Sequence, residues 1–381
     1  MFDIQNSPES NFLKKKFSEY YKENLISSVP DVPHREFGYG IFRRKIANRN
    51  LSFSSELEMN QFLREKAPLF FSYSNSYYEF PSRTPTPQKN WLKADLIYEF
   101  DADELGLVVL EQNGIQWFKS EHLNEAKKQV FRLVDFLEID FDFPASEVLV
   151  NFSGKAGYHV HLRWEKINNL NKRARIELVD YLTAQRIDFA KLGFDFESLV
   201  CAPNNGFWHK RLVLGAKEFF NLDPKDASKI IALPVKKTMD AFSLKDKVIA
   251  SLDEGKLSSV FEKKSSLVWQ KIFEYVLNKE KIPIDRQTSI DLNKIIRVPS
   301  TLHGDTGLVA KTIYLDSLKS FDPFVDAVVF GDELVKVNVL SAPKFYLGDQ
   351  EFGPFENSIQ ELPLFAAIYL IGKGVATLKL N

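Results

Sequence analysis

One stretch, residues 96–103 with the sequence LIYEFDAD, constrains the fold of this chain more than any other. Its apolar run predicts a buried β-strand that leads into two carboxylates, Asp101 and Asp103. Side chains at positions i and i+2 of a strand point to the same face, so the two are predicted to converge on one spot. Two adjacent anions need cations between them, and hard divalent cations prefer oxygen ligands. The same pattern also fits a strand that merely ends in a polar turn.

Composition narrows the class of protein. The chain has 381 residues, of which 44% are hydrophobic and 27% charged, as is typical of a globular protein with a sizeable core. The net charge of −1 predicts no overall basic surface, so a polyanion must be bound by a local patch. One basic run, Arg43, Arg44, Lys45 and Arg49, offers such a patch or is a solvated turn. The single cysteine, Cys201, excludes a disulfide framework and any cysteine-based zinc or iron–sulfur site within the chain.

The sequence also bears on the compartment. The first residues contain no charged region followed by an apolar run, and no segment approaches the roughly 18 apolar residues of a membrane span. We therefore expect a cytoplasmic protein with no membrane role.

Hydrophobic periodicity predicts an α/β fold. Two strands joined by the basic run are expected within 34–53, and further strands over 70–78, 96–103, 107–110, 147–152, 158–162 and 306–314. Helices are expected after the cap Ser7, over 54–66, from the cap Ser120, and over 361–374. Between these, segments 173–191, 244–257 and 265–279 read as helices. We predict a catalytic domain formed by residues 1–165 and 282–381, with a mainly helical insertion over 166–281.

A glycine turn between two predicted strands offers an anion site. In the run SGKAGYH, Ser153, Gly154, Lys155 and Gly157 combine a hydroxyl, a cation and backbone N–H groups free to turn toward a phosphate. His159 follows within reach of a phosphate oxygen. The alternative is a hairpin with a glycine-rich turn and a histidine packed in the sheet.

A third group of residues follows the predicted insertion. Asp285 adds a carboxylate, for which Asp291 is the obvious competitor, and His303 adds a hydrogen-bond donor. Arg297 is an isolated charge in an apolar strand, which needs a partner or a ligand. Three carboxylates that hold two divalent ions, beside cations that neutralise a triphosphate, would form a nucleotidyl-transfer site.

Taken in order, these motifs resemble the small, catalytic subunit of the archaeal and eukaryotic DNA primases, most closely the archaeal form. The resemblance rests on HREF at 34–37, FDAD at 100–103, SGxxGxH at 153–159, and Asp285 followed by IRxPxxLHG at 296–304. It covers most of the chain, and the predicted last helix also fits.

The resemblance implies a primase-type (prim-pol) α/β catalytic core of mixed sheets flanked by helices. It implies that the catalytic, metal-binding carboxylates are Asp101, Asp103 and Asp285, rather than Asp291, and that they hold two Mg²⁺ or Mn²⁺ ions. The residues that would bind the incoming nucleotide are Arg49, Ser153, Gly154, Lys155, His159, Arg297 and His303.

Two positions depart from the family. Its members carry a zinc knuckle shortly after the paired aspartates, but residues 105–122 contain no cysteine and one histidine, so we predict no zinc site in this chain. A frequently basic position in the glycine turn is Ala156, which predicts a slightly weaker phosphate site.

The implied function is that of a DNA-directed nucleotidyltransferase that makes short RNA or DNA primers de novo on single-stranded template during replication. The implied partners are a large subunit that carries an iron–sulfur cluster, single-stranded DNA, and ribonucleoside or deoxyribonucleoside triphosphates. In the archaeal cell the protein would lie in the cytoplasm, at the nucleoid. Three alternatives stay open here: a primase-polymerase that extends primers in repair, an inactive nucleic-acid-binding scaffold, and a metal-dependent glycosyltransferase, which would leave the glycine turn unexplained.

Overall fold

The computed structural model describes residues 4–204 and 206–379. The chain divides into two compact units, one formed by Met1–Val179 with Pro283–Asn381 and one by Asp180–Ile282. Both α-helices and β-sheets are present throughout the first unit, so the predicted α/β class is confirmed.

The helices are α1 (Pro8–Glu23), α2 (Glu56–Lys66), α3 (Ser120–Phe141), α4 (Glu165–Asn168), α5 (Lys172–Leu182), α6 (Phe207–Phe219), α7 (Pro224–Ile231), α8 (Val235–Phe242), α9 (Lys245–Asp253), α10 (Ser265–Glu280), α11 (Arg286–Ile290), α12 (Leu315–Leu318), α13 (Pro323–Asp326) and α14 (Leu364–Lys373). The strands are β1 (Arg35–Ile41), β2 (Arg44–Leu51), β3 (Phe70–Tyr78), β4 (Trp91–Ala94), β5 (Leu96–Asp101), β6 (Leu110–Gln112), β7 (Ile115–Trp117), β8 (Val148–Phe152), β9 (Gly157–Leu162), β10 (Phe194–Asp195), β11 (Val200–Cys201), β12 (Ile295–Arg297), β13 (Lys311–Ile313), β14 (Leu334–Ala342), β15 (Phe345–Leu347), β16 (Gln350–Phe352), β17 (Phe355–Pro363) and β18 (Ala376–Leu378).

Two sheets of the first unit carry the predicted motifs. In the first sheet the strand order is β12-β3-β1-β2, with β4 also paired to β3. In the second sheet the order is β13-β8-β9-β5, so the strand before the aspartates lies at an edge beside β9. Residue pairing brings Asp101 opposite Gly157 and Glu99 opposite His159. The glycine turn, which joins β8 to β9, therefore lies at the same end of the second sheet as Asp101.

A buried ion pair connects the two sheets. Arg35 of β1 is fully buried, and its Nη2 donates to Asp95 Oδ2 at 2.8 Å, one residue before β5 begins. The same guanidinium donates through Nη1 to the carbonyl oxygens of Ser74 and Asn75 in β3, each at 2.8 Å. Removing one partner of such a pair costs about 3–5 kcal/mol, because the other charge stays buried. Arg35, in the segment 34–36, thus holds the two sheets together and is not expected to take part in catalysis.

The second unit has its own aromatic core. Helices α6 and α10 approach so closely that a Cβ on Gly215 would overlap Val276. Trp269 and Phe273 of α10 pack with ring centroids 6.0 Å apart, and Phe220 lies 5.9 Å from Trp269. The predicted insertion boundaries, 166–281, stay a prediction.

Several local signals are confirmed. Ser7 caps α1, because its Oγ accepts from the backbone N–H of Ser10 at 3.1 Å. Strand β3 spans the predicted residues 70–78. Of the basic run, Arg43 lies in the turn between β1 and β2, and Arg44, Lys45 and Arg49 lie in β2.

Other local predictions are wrong. Strand β5 ends at Asp101, so Asp103 lies in the following turn and does not share a strand face with it. Residues 107–109 form no strand, and Val108 is 95% exposed. The cap of α3 is Lys119, not Ser120, and His122 Nδ1 accepts from the Lys119 N–H.

The bounds of three further elements differ from those predicted. The helix predicted over 173–191 stops at Leu182, since Ala184 and Arg186 adopt positive φ angles of 55° and 61°. The strand predicted over 306–314 is reduced to β13, because the preceding residues turn at Gly307, where φ is +70°. Helix α14 begins at Leu364 rather than at residue 361, since residues 361–363 pair with β14 as the end of β17.

Candidate active site

A cleft of about 370 Å³ lies between the first and second sheets. From the second sheet, β5 and β9 contribute acidic residues and a histidine, and from the first sheet, β12 contributes an arginine. The predicted residues that line the cleft are Asp101, Asp103, Ser153, Lys155, His159, Arg297 and His303. Asp285, Arg49 and Gly154 lie outside this lining.

The acidic end of the cleft is built on β5. Alternation along the strand sends Glu99 and Asp101 to the cleft, while Tyr98 and Phe100 are buried on the other face. Burial raises the pKa of Asp101, and the negative charges of Glu99 and Asp103 raise it further, against the opposing effect of His159. The pair that shares a strand face is therefore Glu99 and Asp101, with Asp103 close by in the turn.

Asp285 lies near this acidic end. It directly precedes α11, and its carbonyl accepts from the N–H and the hydroxyl of Ser289 at 3.2 and 2.9 Å, which starts the helix. Helix α11 packs on β5. The pKa of Glu104 is raised first by burial and then by Asp101, Asp285 and Asp103 in that order. The three predicted carboxylates thus act electrostatically on one carboxyl group.

The donor chemistry of this cluster fits a hard divalent cation. All donors are carboxylate oxygens, and their mutual repulsion raises pKa values, as expected where a positive charge is needed. Across the described ranges 4–204 and 206–379, no three His, Cys, Asp or Glu side chains lie close enough together to hold one ion. The assignment of a divalent cation to this cluster therefore rests on the type and the charge of its donor atoms.

Arg297 supplies an uncompensated cation on the opposite wall. Its Nε and Nη1 are buried and have no hydrogen-bond partner among the described residues, and its Cζ lies 5.0 Å from the centroid of the Phe70 ring. Burial lowers the pKa of Arg297 to about 10, with Tyr21 and Asp305 opposing the shift. The group stays charged at neutral pH. A half-buried guanidinium with two buried N–H groups in this state favours an anionic ligand.

His303 faces the cleft as a neutral donor. Its Nδ1 accepts from the backbone N–H of Asp305 at 3.2 Å, which leaves the proton on Nε2. Burial, followed by the positive charge of Arg297, holds the pKa of His303 well below its usual range. The ring can therefore donate one hydrogen bond to a phosphate oxygen at neutral pH.

The glycine turn has a different internal arrangement from the one expected. The backbone N–H groups of Lys155 and Gly157 donate to Ser153 Oγ at 3.4 and 3.2 Å, so they do not point into the cleft. The Ser153 hydroxyl hydrogen remains available for a ligand. Gly154 adopts φ +84°, and a Cβ there would lie 2.8 Å from His303 Cβ. This glycine allows the turn to pack directly under His303.

Arg49 already forms hydrogen bonds within the protein. Its Nε donates to Glu36 Oε1 at 2.8 Å and its Nη2 to the Asn293 carbonyl at 2.9 Å. Lys89 Nζ donates to the other oxygen of Glu36 at 2.6 Å. The structure therefore places Arg49 in a network that ties β2 to the segment before β12, and its predicted contact with a nucleotide stays a prediction.

Two charged residues of the cleft, Glu99 and Lys294, were not predicted. Glu99 accepts from Lys294 Nζ at 2.7 Å, and Glu99 Oε1 lies 3.5 Å from His159 Nε2. Glu99 gave the same signal as Arg297, an isolated charge in an apolar strand, so the sequence could have revealed it. Lys294 gave no signal, since it lies in a polar loop sequence.

The segment that would hold a zinc knuckle forms a hairpin. Strands β6 and β7 pair, and the buried Trp117 packs on Phe345 with ring centroids 5.5 Å apart. His122 uses both ring nitrogens within the protein: Nδ1 accepts from Lys119 N–H at 2.9 Å, and Nε2 lies 3.1 Å from the Val108 carbonyl. The absence of zinc stays a prediction.

Together the fold and the cleft define a class of α/β protein that presents carboxylates and uncompensated cations to an anionic ligand. A model of the DNA primase small subunit family matches residues 120–314. The chain is 31% identical to the DNA primase small subunit PriS of Methanothrix thermoacetophila, over 97% of this chain and 99% of the relative. It is 30% identical to the same-named proteins of Methanosarcina barkeri, with 96% of each chain covered, and of Archaeoglobus fulgidus, with 96% and 98% covered. The chain belongs to the DNA primase small subunit family, as the sequence motifs predicted.

Proposed function

We propose that this chain is the catalytic subunit of a DNA primase, which synthesises short RNA or DNA primers de novo on single-stranded DNA for replication. Family membership supports the general role, a nucleotidyltransferase. The observation that carries the proposal is a single cleft with acidic Asp101 and Asp103 at one end and the uncompensated Arg297 on the opposite wall.

The basic end suits the triphosphate of an incoming nucleotide. Arg297 offers buried N–H donors, His303 one neutral N–H, Ser153 a hydroxyl and Lys155 a half-exposed ammonium. Donors of this kind make charge-assisted hydrogen bonds with phosphate oxygens, which are stronger than neutral ones. His159 faces the cleft beside Glu99, whose Oε1 lies 3.5 Å from its Nε2.

The acidic end suits two divalent cations, Mg²⁺ or Mn²⁺, held by Asp101, Asp103 and Asp285. Such ions, when bound, activate the 3′-hydroxyl and stabilise the pyrophosphate leaving group. The protein's own contribution is to fix the carboxylates and to orient the triphosphate toward them. Asp285 must approach from α11, which packs on the strand that carries Asp101.

The proposal also includes partners and a compartment. We expect a heterodimer with a large subunit that carries an iron–sulfur cluster, because this chain has one cysteine and cannot ligate a cluster alone. The template is single-stranded DNA, and the work of replication places the protein in the cytoplasm, at the nucleoid. Among the described residues, no helix is long and apolar enough to cross a membrane.

The test is primer synthesis with unprimed single-stranded template, nucleotides, Mn²⁺ and the large subunit. Asp285→Asn is expected to lower the rate by at least about 100-fold, since lost ion stabilisation amounts to several kcal/mol. Asp291→Asn is the matched control, because its Oδ1 accepts from the Asn293 N–H at 2.8 Å and asparagine keeps that oxygen. Equal activity of the two variants would refute the role of Asp285.

The same assay separates the nearest alternative. An enzyme that only extends primers would form no product without a primer, yet it would elongate a primed template at full rate. A scaffold would show neither activity, and Asp101→Ala with Asp103→Ala would change nothing.

A further inference from the structure

A second cavity, of about 660 Å³, adjoins the basic end of the cleft. It lies in the first unit, between the basic turn after β1, the β6–β7 hairpin and the end of α14. Its cationic residues are Arg43, Lys155 and Lys373, and its acidic residues are Glu111 and Asp305. We call it the Lys373 cavity.

Lys155 belongs to both cavities. It lines the cleft beside Ser153 and the Lys373 cavity beside Asp305, whose Oδ2 lies 3.8 Å from its Nζ. Lys373 also helps to lower the pKa of His303 in the cleft. Basic side chains therefore line both the triphosphate end of the cleft and the adjoining Lys373 cavity, and Lys155 is common to the two.

Lys373 is held in place without a counter-ion. Its Nζ donates to the Gln116 carbonyl of the hairpin at 2.9 Å and lies 4.9 and 5.1 Å from the ring centroids of Trp117 and Tyr369. Among the described residues it forms no ion pair, and neither does Arg43, whose guanidinium lies against Gly374. Burial, and after it Lys155, lowers the pKa of Lys373 to about 8, against the opposing effect of Asp305.

A fixed lysine and an exposed arginine, neither with an ion-pair partner in the part of the chain that the structure describes, suit a small, highly charged anion. The proposed reaction releases one: the 3′-oxygen bonds to the α-phosphorus, the α–β P–O bond breaks with its electron pair on the departing oxygen, and the hydroxyl proton passes to solvent. The product is inorganic pyrophosphate, formed where the triphosphate was bound.

We propose that the Lys373 cavity binds inorganic pyrophosphate on its way out of the cleft, with Lys155 as the shared contact and with Arg43 and Lys373 as the contacts beyond it. This inference rests on the proposed function. It assigns a role to the β6–β7 hairpin, which supplies the carbonyl that fixes Lys373. A terminal phosphate of a bound nucleotide has the same chemistry, so the test must separate the two sources.

The test measures binding of inorganic pyrophosphate, and separately of a non-hydrolysable nucleoside triphosphate, to the full chain by calorimetry. Lys373→Met keeps the apolar stem against Trp117 and removes the charge. Lys127→Met is the matched control: Lys127 also donates to a carbonyl, that of Phe321 at 2.8 Å, and it lines neither cavity. Because Arg43 is exposed, Arg43→Gln supplies a second variant that does not disturb the core.

We expect Lys373→Met and Arg43→Gln each to weaken pyrophosphate binding about tenfold, the loss of one charge-assisted contact, and to leave triphosphate binding within about twofold. Unchanged pyrophosphate binding in both variants would overturn the inference. An equal loss for both ligands would also overturn it, because the cavity would then be part of the nucleotide site. Arg297→Gln reports on the proposed function separately: if it leaves triphosphate binding intact, that proposal fails whatever the Lys373 variants show.

Discussion

Gly157→Ala is the most informative single substitution in the cleft. Gly157 pairs with Asp101 across β5 and β9, and an added Cβ would overlap Asp101 Oδ1 and lie 2.6 Å from the Phe100 carbonyl oxygen. Ordinary Cβ contacts begin at 3.4 Å, so the strand would have to retreat by 3.4 − 2.6 = 0.8 Å at that oxygen. The first carboxylate of the site would move with it.

The expected effects follow from that displacement. Overpacking of this kind costs about 1–3 kcal/mol of unfolding free energy. A misplacement of about 1 Å at a reacting centre can lower the rate by about 100-fold. Primer synthesis on unprimed template should therefore fall by about that factor, and urea denaturation should show the loss of stability.

Gly331→Ala is the matched control. An added Cβ there would meet Glu333 Oε2 at 2.9 Å, the end of an exposed and flexible side chain. Its stability should change by less than about 0.5 kcal/mol and its rate by less than about twofold. A folded Gly157→Ala variant that keeps the wild-type rate would refute the expected displacement of Asp101.

Three further outcomes are expected. Arg297→Gln should weaken binding of a non-hydrolysable nucleoside triphosphate at least about tenfold in calorimetry, without a loss of thermal stability, because the substitution removes a charge whose buried Nε and Nη1 have no hydrogen-bond partner among the described residues. Glu99→Gln should lower the affinity for the same ligand, since Glu99 accepts from Lys294 and lies 3.5 Å from His159 Nε2; an unchanged affinity would exclude a positioning role. Pyrophosphate binding should weaken as the pH rises through about 8, because Lys373 is charged below its pKa and neutral above it, with Arg43, Lys155, Glu111 and Asp305 facing the same cavity; Lys373→Met should lack this step.

Much of the fold could be predicted from the sequence, because residue preference and hydrophobic periodicity indicated the same elements. The Ser7 cap, the strand 70–78 and the glycine turn each combine residue preference with periodicity, and the structure follows them. The long strands β14 and β17 were not predicted, although Val335, Val337 and Val339 alternate with polar residues along β14, which is the pattern of a strand. Residues 107–109 have the composition of a strand but form none, and Val108 in their middle is 95% exposed.

The residues of the candidate site could be predicted from the sequence to a similar extent. Isolated charges in apolar strands identified Arg297, and the same rule applied to Glu99 would have found the true strand-face partner of Asp101. The position of Lys373 in a cavity could not be predicted from the sequence in this way. A lysine at the end of a helix is ordinary, because it interacts favourably with the helix dipole, and only the hairpin against it shows that it faces a cavity.

The central claim is that carboxylates from β5 and from the start of α11 form one metal centre. The most direct measurement is an electron paramagnetic resonance titration of Mn²⁺ on the wild-type chain, Asp101→Asn, Asp285→Asn and the control Asp291→Asn, each with a non-hydrolysable nucleoside triphosphate. We predict that Asp101→Asn and Asp285→Asn both bind Mn²⁺ at least about tenfold more weakly than the wild type, while Asp291→Asn matches it. Wild-type Mn²⁺ affinity in Asp285→Asn would contradict the account.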